Sequence, residues 1–142
     1  MRLDVLSGEF AIVRLDPNVN IPAWAQPEQP TEFLSITRTR DELSIVCESS
    51  QVPVELAAER GWRCLKVAGP LDFSLVGVLA SLAEPLARAG IPIFSISTFD
   101  TDYLLVNAAK LEAAIAALES MGHIAGHVVR EMSVMGEFER VD

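Results

Sequence analysis

The sequence predicts an α+β protein made of two ferredoxin-like sandwiches, each with the element order βαββαβ, of which the first is degenerate. Two observations lead to this prediction. A strand-turn-strand pattern recurs at an offset of 60 residues, and the second half of the chain shows the full order of strands and helices. Such an order folds as two helices on one face of a four-stranded antiparallel sheet. The predicted ranges are a reduced repeat over residues 1–60, a complete domain over 61–129 and a C-terminal extension over 130–142.

The internal repeat is the first of these observations. Without any gap, Ser35-Ile36 matches Ser95-Ile96, and Leu43–Val46 falls on Tyr103–Val106. Each block consists of an apolar strand, a polar turn and a second apolar strand, which is the pattern of a hairpin. Because the identities agree with this pattern, we interpret the repeat as a duplication.

The first helix of the second half is the clearest predicted element. Apolar residues with a period of 3.6 predict a helix that starts at residue 73 or 74 and runs to residue 89, and Gly90 ends it. Asp72 is a good residue to cap its start. Pro85 lies inside this pattern and lacks a backbone donor, so we expect a kink or an early weakening there.

The other elements of the second half follow from turn and capping residues. Asn107 is expected to cap a second helix, which ends at Gly122. Four strands complete the sandwich, at Cys64–Ala68, Ile91–Thr98, Tyr103–Val106 and Ile124–Val129.

The first half shows a weaker pattern. Four prolines between residues 17 and 30 leave room for only a helical turn at Ala23–Ala25. A short second helix is expected over Val52–Arg60, closed by Gly61. The C-terminal segment Glu131–Phe138 could lend this half a strand. Its own strands are predicted at about 9–15, 32–38 and 43–48.

Composition limits the possible functions. The formal net charge of −9 argues against a nucleic-acid partner, because binding phosphates requires a cationic surface. No apolar run reaches the ~18–20 residues of a membrane span, and Met1–Asp4 lacks the features of a signal peptide. We therefore expect a cytoplasmic protein without a membrane partner. In that reducing compartment, Cys47 and Cys64 are expected to be buried thiols without a disulfide.

Two stretches of the second half resemble a known family. Gly69–Ala80 and Ile93–Tyr103 are similar to the tandem ACT-domain proteins of bacteria, which are related to the ACT modules of eukaryotic arginine sensors and of aspartate kinases. The resemblance extends over residues 61–129 and, less closely, over 1–60. It implies a stand-alone regulatory sensor that binds a free amino acid and is not an enzyme. It also implies a homodimer, a separate regulated protein and no cofactor.

The loop from the first strand of 61–129 into its helix is the first candidate ligand site. A helix start offers unpaired N–H groups and a partial positive charge, which suit the carboxylate of an amino acid. Gly77, predicted one turn into the helix, leaves room for a ligand to approach. Alternatively, Asp72 only caps the helix and Gly77 only lets it pack on the sheet. The candidate ligand-binding residues of this loop are Leu71, Asp72, Phe73, Ser74, Leu75 and Gly77.

The second candidate ligand site is the end of the next strand and the turn after it. Asp100 and Asp102 place two carboxylates in one short turn, where a guanidinium or an ammonium group is their natural partner. A cationic amino acid is therefore one candidate ligand. Alternatively, Asp and Thr are present because they make good turns. The fold would place both sites at the ends of neighbouring central strands. The candidate residues here are Ser97, Thr98, Asp100, Thr101 and Asp102.

No motif for catalysis or for a metal emerges from the sequence. His123 and His127 have the spacing of a helical metal pair, but on a strand they would lie roughly 13 Å apart, too far to share one ion. We find no Ser-His-Asp spacing, P-loop or glycine-rich dinucleotide motif. The alternative to an amino-acid sensor is a structural dimerisation or partner-docking protein that has lost ligand binding. The proline-rich segment 17–30 could then be a docking surface.

Overall fold

The computed structural model describes residues 1–72 and 76–129 of the chain. Its elements fall into two compact units, which we call unit 1 (Met1–Ser7 with Arg63–Asp142) and unit 2 (Gly8–Trp62). In chain order the elements are β1 (Arg2–Leu6), β2 (Phe10–Leu15), a 3₁₀ turn (Ala23–Ala25), β3 (Ser35–Arg38), β4 (Leu43–Glu48), a 3₁₀ turn (Ser49–Gln51), β5 (Glu59–Val67), α1 (Val78–Arg88), β6 (Ile93–Ser97), β7 (Asp102–Asn107), a 3₁₀ turn (Ala108–Lys110), α2 (Leu111–Ser120) and β8 (Ile124–Val129).

Unit 1 is a mixed sheet with both α-helices packed on one face. The strand order is β8-β1-β5-β7-β6, in which β1 runs antiparallel to β5 and parallel to β8. Alternate residues of the strands and one stripe of each helix form a single core, consistent with strand and helix periodicity. Its buried members are Leu3, Val5, Leu65, Val67, Leu82, Leu86, Ile91, Leu104, Val106, Ala114, Leu118 and Ala125. Apart from β1, this is the ferredoxin-like arrangement predicted for 61–129.

Strand β1 is the element of unit 1 that the sequence analysis missed. It lies between β5 and β8, where Val5 pairs with Leu65. Leu3 and Val5 are almost fully buried in the core. Their alternation with polar neighbours is a strand signal, but no local feature reveals that the start of the chain pairs with residues so far along it. The predicted range 61–129 therefore leaves out one strand of this sheet.

Unit 2 is an antiparallel sheet with little helix. Its strand order is β3-β4-β2-β5, and its 3₁₀ turns follow β2 and β4, where the helices of unit 1 follow β5 and β7. The helical turn predicted at Ala23–Ala25 is confirmed. The buried core residues of this unit are Ala11, Val13, Ala25, Leu43, Ile45, Cys47 and Val52.

The prediction of a short helix over Val52–Arg60 is wrong. The chain forms a 3₁₀ turn at Ser49–Gln51 and enters β5 at Glu59. Pairing with β2 fixes the start of β5 as strand, so tertiary contacts override the local helical pattern. The guanidinium of Arg60 donates to the carbonyls of Pro53 and Leu56 at 2.8 and 3.0 Å, which satisfies two acceptors of the irregular stretch.

Helix α1 begins later than predicted. It starts at Val78, and its N-cap is Gly77 in the left-handed conformation with φ of 77°. Asp72 is therefore not the helix cap, and Gly77 does not lie inside the helix. A left-handed residue cannot belong to a right-handed helix, so the helix begins after Gly77 even though the apolar period extends further upstream. Residues 73–75 of the predicted helix lie outside the described residues.

Pro85 lies inside α1 without ending it, since the helix continues to Arg88. Proline has no N–H, so the carbonyl of Ser81 loses its usual helical partner. The ring of His123 replaces that partner, because Nε2 lies 3.2 Å from the Ser81 oxygen and can donate to it. The expected weakening at Pro85 is therefore offset by a side chain from outside the helix.

The helix ends agree better with the sequence. Both helices stop before a glycine with positive φ, Gly90 at 74° and Gly122 at 90°. After each helix two amides bond back to the last turn in the pattern of a Schellman motif. The side chain of Asn107 accepts a hydrogen bond from the amide of Ala109 at 3.0 Å, and so caps the 3₁₀ turn that leads into α2.

The hairpins β3–β4 and β6–β7 correspond at an offset of 59 residues, whereas the sequence match used 60. The last pair before the turn joins residues 38 and 43 in the first hairpin and residues 97 and 102 in the second. Successive residues of a strand face opposite sides of the sheet, so one residue of offset exchanges the two faces. At an offset of 59, Ile45 in the core of unit 2 corresponds to Leu104 in the core of unit 1.

Candidate ligand-binding site

Two loops of unit 1 come together beside the start of α1. The first is the β5–α1 loop, which leaves β5 at Val67 and enters the helix at Val78. It contains a cis peptide bond between Gly69 and Pro70. The amide of the next residue, Leu71, donates to a carbonyl of the second loop at 2.7 Å. That backbone bond ties the two loops together.

The second loop is the β6–β7 turn, residues 98–101. The amide and the hydroxyl of Thr98 both donate to the carbonyl of Thr101, at 2.9 and 3.0 Å. At the base of the turn, the hydroxyl of Ser97 donates to the carboxylate of Asp102 at 2.6 Å. The exposed Asp100 carboxylate accepts no hydrogen bond within the described parts of the chain, although its backbone carbonyl accepts the one from the first loop. The turn is thus well ordered and leaves one carboxylate available.

The two loops enclose an open cleft of about 190 Å³. This volume lies below the ~300–1,000 Å³ typical of pockets for drug-sized ligands, so the cleft suits a small metabolite. The residues that line it are Leu71, Asp72, Val78, Ser97, Thr98, Phe99, Asp100, Thr101 and Asp102.

Most of the residues predicted for the two candidate sites line this one cleft. They are Leu71, Asp72, Ser97, Thr98, Asp100, Thr101 and Asp102. Phe73, Ser74 and Leu75 lie outside the described residues. Gly77 is not among the lining residues, and a Cβ atom added to it would meet nothing within 4 Å. Glycine suits this position because of its positive φ, and the predicted close approach does not explain it.

Val78 and Phe99 also line the cleft and were not predicted. The predicted helix contains Val78 in its second turn, whereas the observed helix starts at Val78, which places this residue at the site. Phe99 is 78% exposed in the middle of a polar turn. An aromatic residue placed among Thr and Asp is the one sequence signal that could have revealed it.

The charge of the cleft differs between its two sides. Asp72, Asp100 and Asp102 are acidic, and no Lys, Arg or His is among the described lining residues. On the other side Val78 begins α1, and the first amides of a helix carry a partial positive charge. A ligand with both an ammonium and a carboxylate group is complementary to this arrangement.

The remaining candidate residues lie away from the cleft. The His123 ring lies between the Met1 nitrogen, 3.1 Å from Nδ1, and the Ser81 carbonyl, whereas His127 belongs to β8. Across residues 1–72 and 76–129, no cluster of His, Cys, Asp and Glu has the geometry to hold a metal ion. None of the helices described is long and apolar enough to cross a membrane. Cys47 and Cys64 are buried and form no disulfide.

Comparisons with known proteins show what the chain is similar to. The crystal structure of an Agobacterium tumefaciens protein is 41% identical to the chain and superposes with a TM-score of 0.82, covering 92% of this chain and 94% of the other. The chain belongs to the family of that protein. The sequence-family model for the ACT domain matches residues 57–120, which include both loops of the cleft. A separate model of an N-terminal domain matches residues 8–55.

Two more distant similarities concern regulatory proteins. The human cytosolic arginine sensor for mTORC1 subunit 1 is 39% identical over 59 residues, which are 41% of this chain and 18% of the sensor. The matched part of the chain thus spans less than a fifth of the length of this arginine sensor. The regulatory subunit of aspartate kinase from Thermus thermophilus has a TM-score of 0.55 at 14% identity, covering 84% of this chain and 94% of that subunit. This second similarity shows a shared fold. The ACT domain indicated by the sequence is confirmed.

Proposed function

We propose that this protein is a regulatory module without catalytic activity that binds a free amino acid in the cleft between the β5–α1 loop and the β6–β7 turn. The observation that carries the proposal is that two loops, selected separately from the sequence, line one small cleft. The match of the ACT domain to residues 57–120 supports a regulatory role. We further propose that unit 2 is a degenerate second copy of this domain, because its strand order is that of unit 1 without β1, with 3₁₀ turns in place of helices.

A free α-amino acid fits the charges of the cleft. Its carboxylate would lie at the start of α1, where Val78 and the next amides have no helical acceptor. Its ammonium group would lie at Asp100, whose carboxylate is exposed. Because no basic side chain is among the described lining residues, a cationic side chain on the ligand would also be favoured. The related arginine sensor makes arginine the first ligand to test.

A thermal-shift screen of the purified protein against the twenty amino acids tests this proposal. A ligand present at 100 times its dissociation constant adds about 2.7 kcal/mol to the free energy of unfolding, which is readily measured. We expect arginine or lysine to raise the melting temperature. If no amino acid raises it, the proposal is wrong.

Two variants locate the bound ligand. Asp100→Asn should remove most of the ligand-induced shift, because it removes the exposed carboxylate while keeping the shape of the side chain. Asp41→Asn is the matched control, since Asp41 occupies the corresponding turn position of unit 2 at an offset of 59 residues. Equal shifts in the wild type and in Asp100→Asn would place the ligand elsewhere.

We also propose a cytoplasmic homodimer that acts on a separate regulated protein. The cytosolic arginine sensor supports the compartment, although the chain matches only part of it.

A second candidate function is association without a ligand, and one further surface favours it. A groove of about 530 Å³ lies between α1 and α2, and its lining includes three alanines of α2 and Met121, which is 53% exposed. If this groove holds a second copy of the chain, Ala116→Glu should convert a dimer to a monomer in light scattering. A dimer that survives this change would exclude the groove as the interface.

A further inference from the structure

We propose that Thr101 is a positioning residue that fixes the β6–β7 turn to the end of β5 and so holds the two walls of the cleft together. The sequence predicts Thr101 among the residues that contact the ligand. Its surroundings assign it a different role. The effect on ligand affinity rests on the proposed function, whereas the coupling of the two loops does not depend on it.

The hydroxyl of Thr101 is already committed to the protein. It donates to the carbonyl of Val67, the last residue of β5, at 2.7 Å. Thr101 is only 3% exposed. A buried hydroxyl with a short bond to a backbone carbonyl has no free proton to offer to a ligand. The bond instead joins the turn to the strand from which the first loop starts.

Two more contacts join the same pair of loops. The Leu71 amide donates to the Asp100 carbonyl at 2.7 Å. A Cβ atom added to Gly69 would lie 3.0 Å from the Cβ atom of Thr101 and 3.2 Å from the Asp100 oxygen. A side chain at position 69 would therefore push the turn away from the β5–α1 loop. The walls of the cleft meet through a side-chain bond, a backbone bond and a close packing contact.

These contacts determine how much of the time the cleft is complete. If the turn separates from β5, the carboxylate of Asp100 and the start of α1 no longer face the same space. The apparent affinity of a ligand falls in proportion to the population of the competent arrangement. Loss of one buried hydrogen bond is expected to raise the ratio of separated to joined loops by about tenfold, and affinity falls to the extent that the separated arrangement becomes populated. Thr101 would therefore control affinity without contacting the ligand.

The first test needs no ligand. Thr101→Val removes the hydroxyl and keeps the shape, whereas Thr101→Ser keeps the hydroxyl. We expect amide hydrogen exchange at Leu71 to become about tenfold faster in Thr101→Val and to stay near the wild-type rate in Thr101→Ser. Unchanged exchange at Leu71 in Thr101→Val would overturn the proposal. An equal acceleration at Leu71 and at the core residue Leu65 would overturn it too, because it would indicate general destabilisation.

A second variant tests the same contact from the other loop. Gly69→Ala should also accelerate exchange at Leu71, since the added methyl group would meet Thr101 and the carbonyl of Asp100. Because Gly69→Ala removes no hydrogen-bonding group, it measures the effect of the packing contact on exchange separately from the effect of losing the Thr101 hydroxyl. Wild-type exchange at Leu71 in Gly69→Ala would contradict the proposed packing of the two loops.

Titration with L-arginine then tests the effect on affinity. We expect the dissociation constant to rise in Thr101→Val, by up to about tenfold, and to stay close to wild type in Thr101→Ser. If wild type binds arginine and Thr101→Val binds it equally well, Thr101 does not position the site. If wild type binds no amino acid, the proposed function fails, and the exchange measurements still decide whether Thr101 couples the loops.

Discussion

Cys47 shows how burial controls the chemistry of a single side chain. The pKa of its thiol is raised to about 11, mainly by burial and further by the neighbouring Glu48, against an opposing effect of Arg60. The thiol is therefore almost entirely protonated at neutral pH. Because the thiolate is the nucleophile, a buried and protonated thiol is chemically inert.

We predict that the thiol of Cys47 resists alkylation in the folded protein. At neutral pH, iodoacetamide should modify Cys47 only after unfolding in urea, as read by mass spectrometry. The raised pKa also makes stability depend on pH. The pKa of the thiol in the unfolded chain is near its ordinary value of 9.0, so the stabilisation is complete below that pH and is lost as the pH rises through about 11. Rapid alkylation of the folded protein at pH 7 would contradict this assignment.

A glycine can be required because a side chain would not fit or because the backbone has a positive φ, and Gly77 distinguishes these two reasons. Space is not the reason, since a Cβ atom at this position would meet nothing within 4 Å. The reason is its φ of 77°, which costs an ordinary L-residue roughly 1–2 kcal/mol. We predict that Gly77→Ala lowers the free energy of unfolding by about 1 kcal/mol in urea titrations, and that Gly77→Asn lowers it less, because Asn tolerates the left-handed region. Equal stability of Gly77→Ala and wild type would contradict this explanation.

At the scale of elements, α1 depends on a residue outside it. Pro85 leaves the carbonyl of Ser81 without a helical donor, and the ring of His123 supplies one. Replacing His123 by Ala should therefore cost about 1 kcal/mol, the usual contribution of one hydrogen bond. In a Pro85→Ala background the new N–H can take that carbonyl, so the same replacement should cost less. A double-mutant cycle in urea measures the difference, and strictly additive effects would show that the two residues act independently.

The hairpins show which properties of an element can be predicted from sequence. Their strands and four-residue turns follow from apolar runs around polar residues, and both are present. Their correspondence was placed one residue off, because identities such as Ser35 with Ser95 do not reveal which side chains face the core. That information lies in the cross-strand pairing, which is a non-local property. The helix stops were predictable because Gly90 and Gly122 act within a few residues of the helices that they end.

The same contrast holds for the whole molecule. The two loops of the cleft could be selected from sequence because turn residues and carboxylates lie close together along the chain. The buried role of Thr101 could not, since it depends on a carbonyl more than thirty positions away, at Val67. Strand β1 is the largest element that could not be placed from the sequence. Its residues alternate as a strand should, but their partners are Leu65–Val67 of β5 and residues of β8, all far along the chain.

This placement of β1 leads to a prediction about which part of the chain can fold alone. Residues 63–142 lack β1, which contributes Leu3 and Val5 to the core of unit 1. Burying these two side chains is worth roughly 3–6 kcal/mol at about 1.5–3 kcal/mol each. That is comparable with the ~5–15 kcal/mol that stabilises an ordinary domain. We therefore expect residues 63–142 alone to show no cooperative thermal transition.

The geometry of β1 also suggests how to restore folding. Val5 pairs with Leu65 in an antiparallel register, so Ser7 comes opposite Arg63 if the same register continues. Joining residues 1–7 to residues 63–142 through an Asn-Gly turn would then make β1 and β5 a two-residue hairpin, a connection that matches the twist of paired strands. We predict that this shortened chain melts cooperatively in circular dichroism. Cooperative melting of residues 63–142 without β1 would show instead that the sheet can close between β5 and β8 directly, as the sequence analysis assumed.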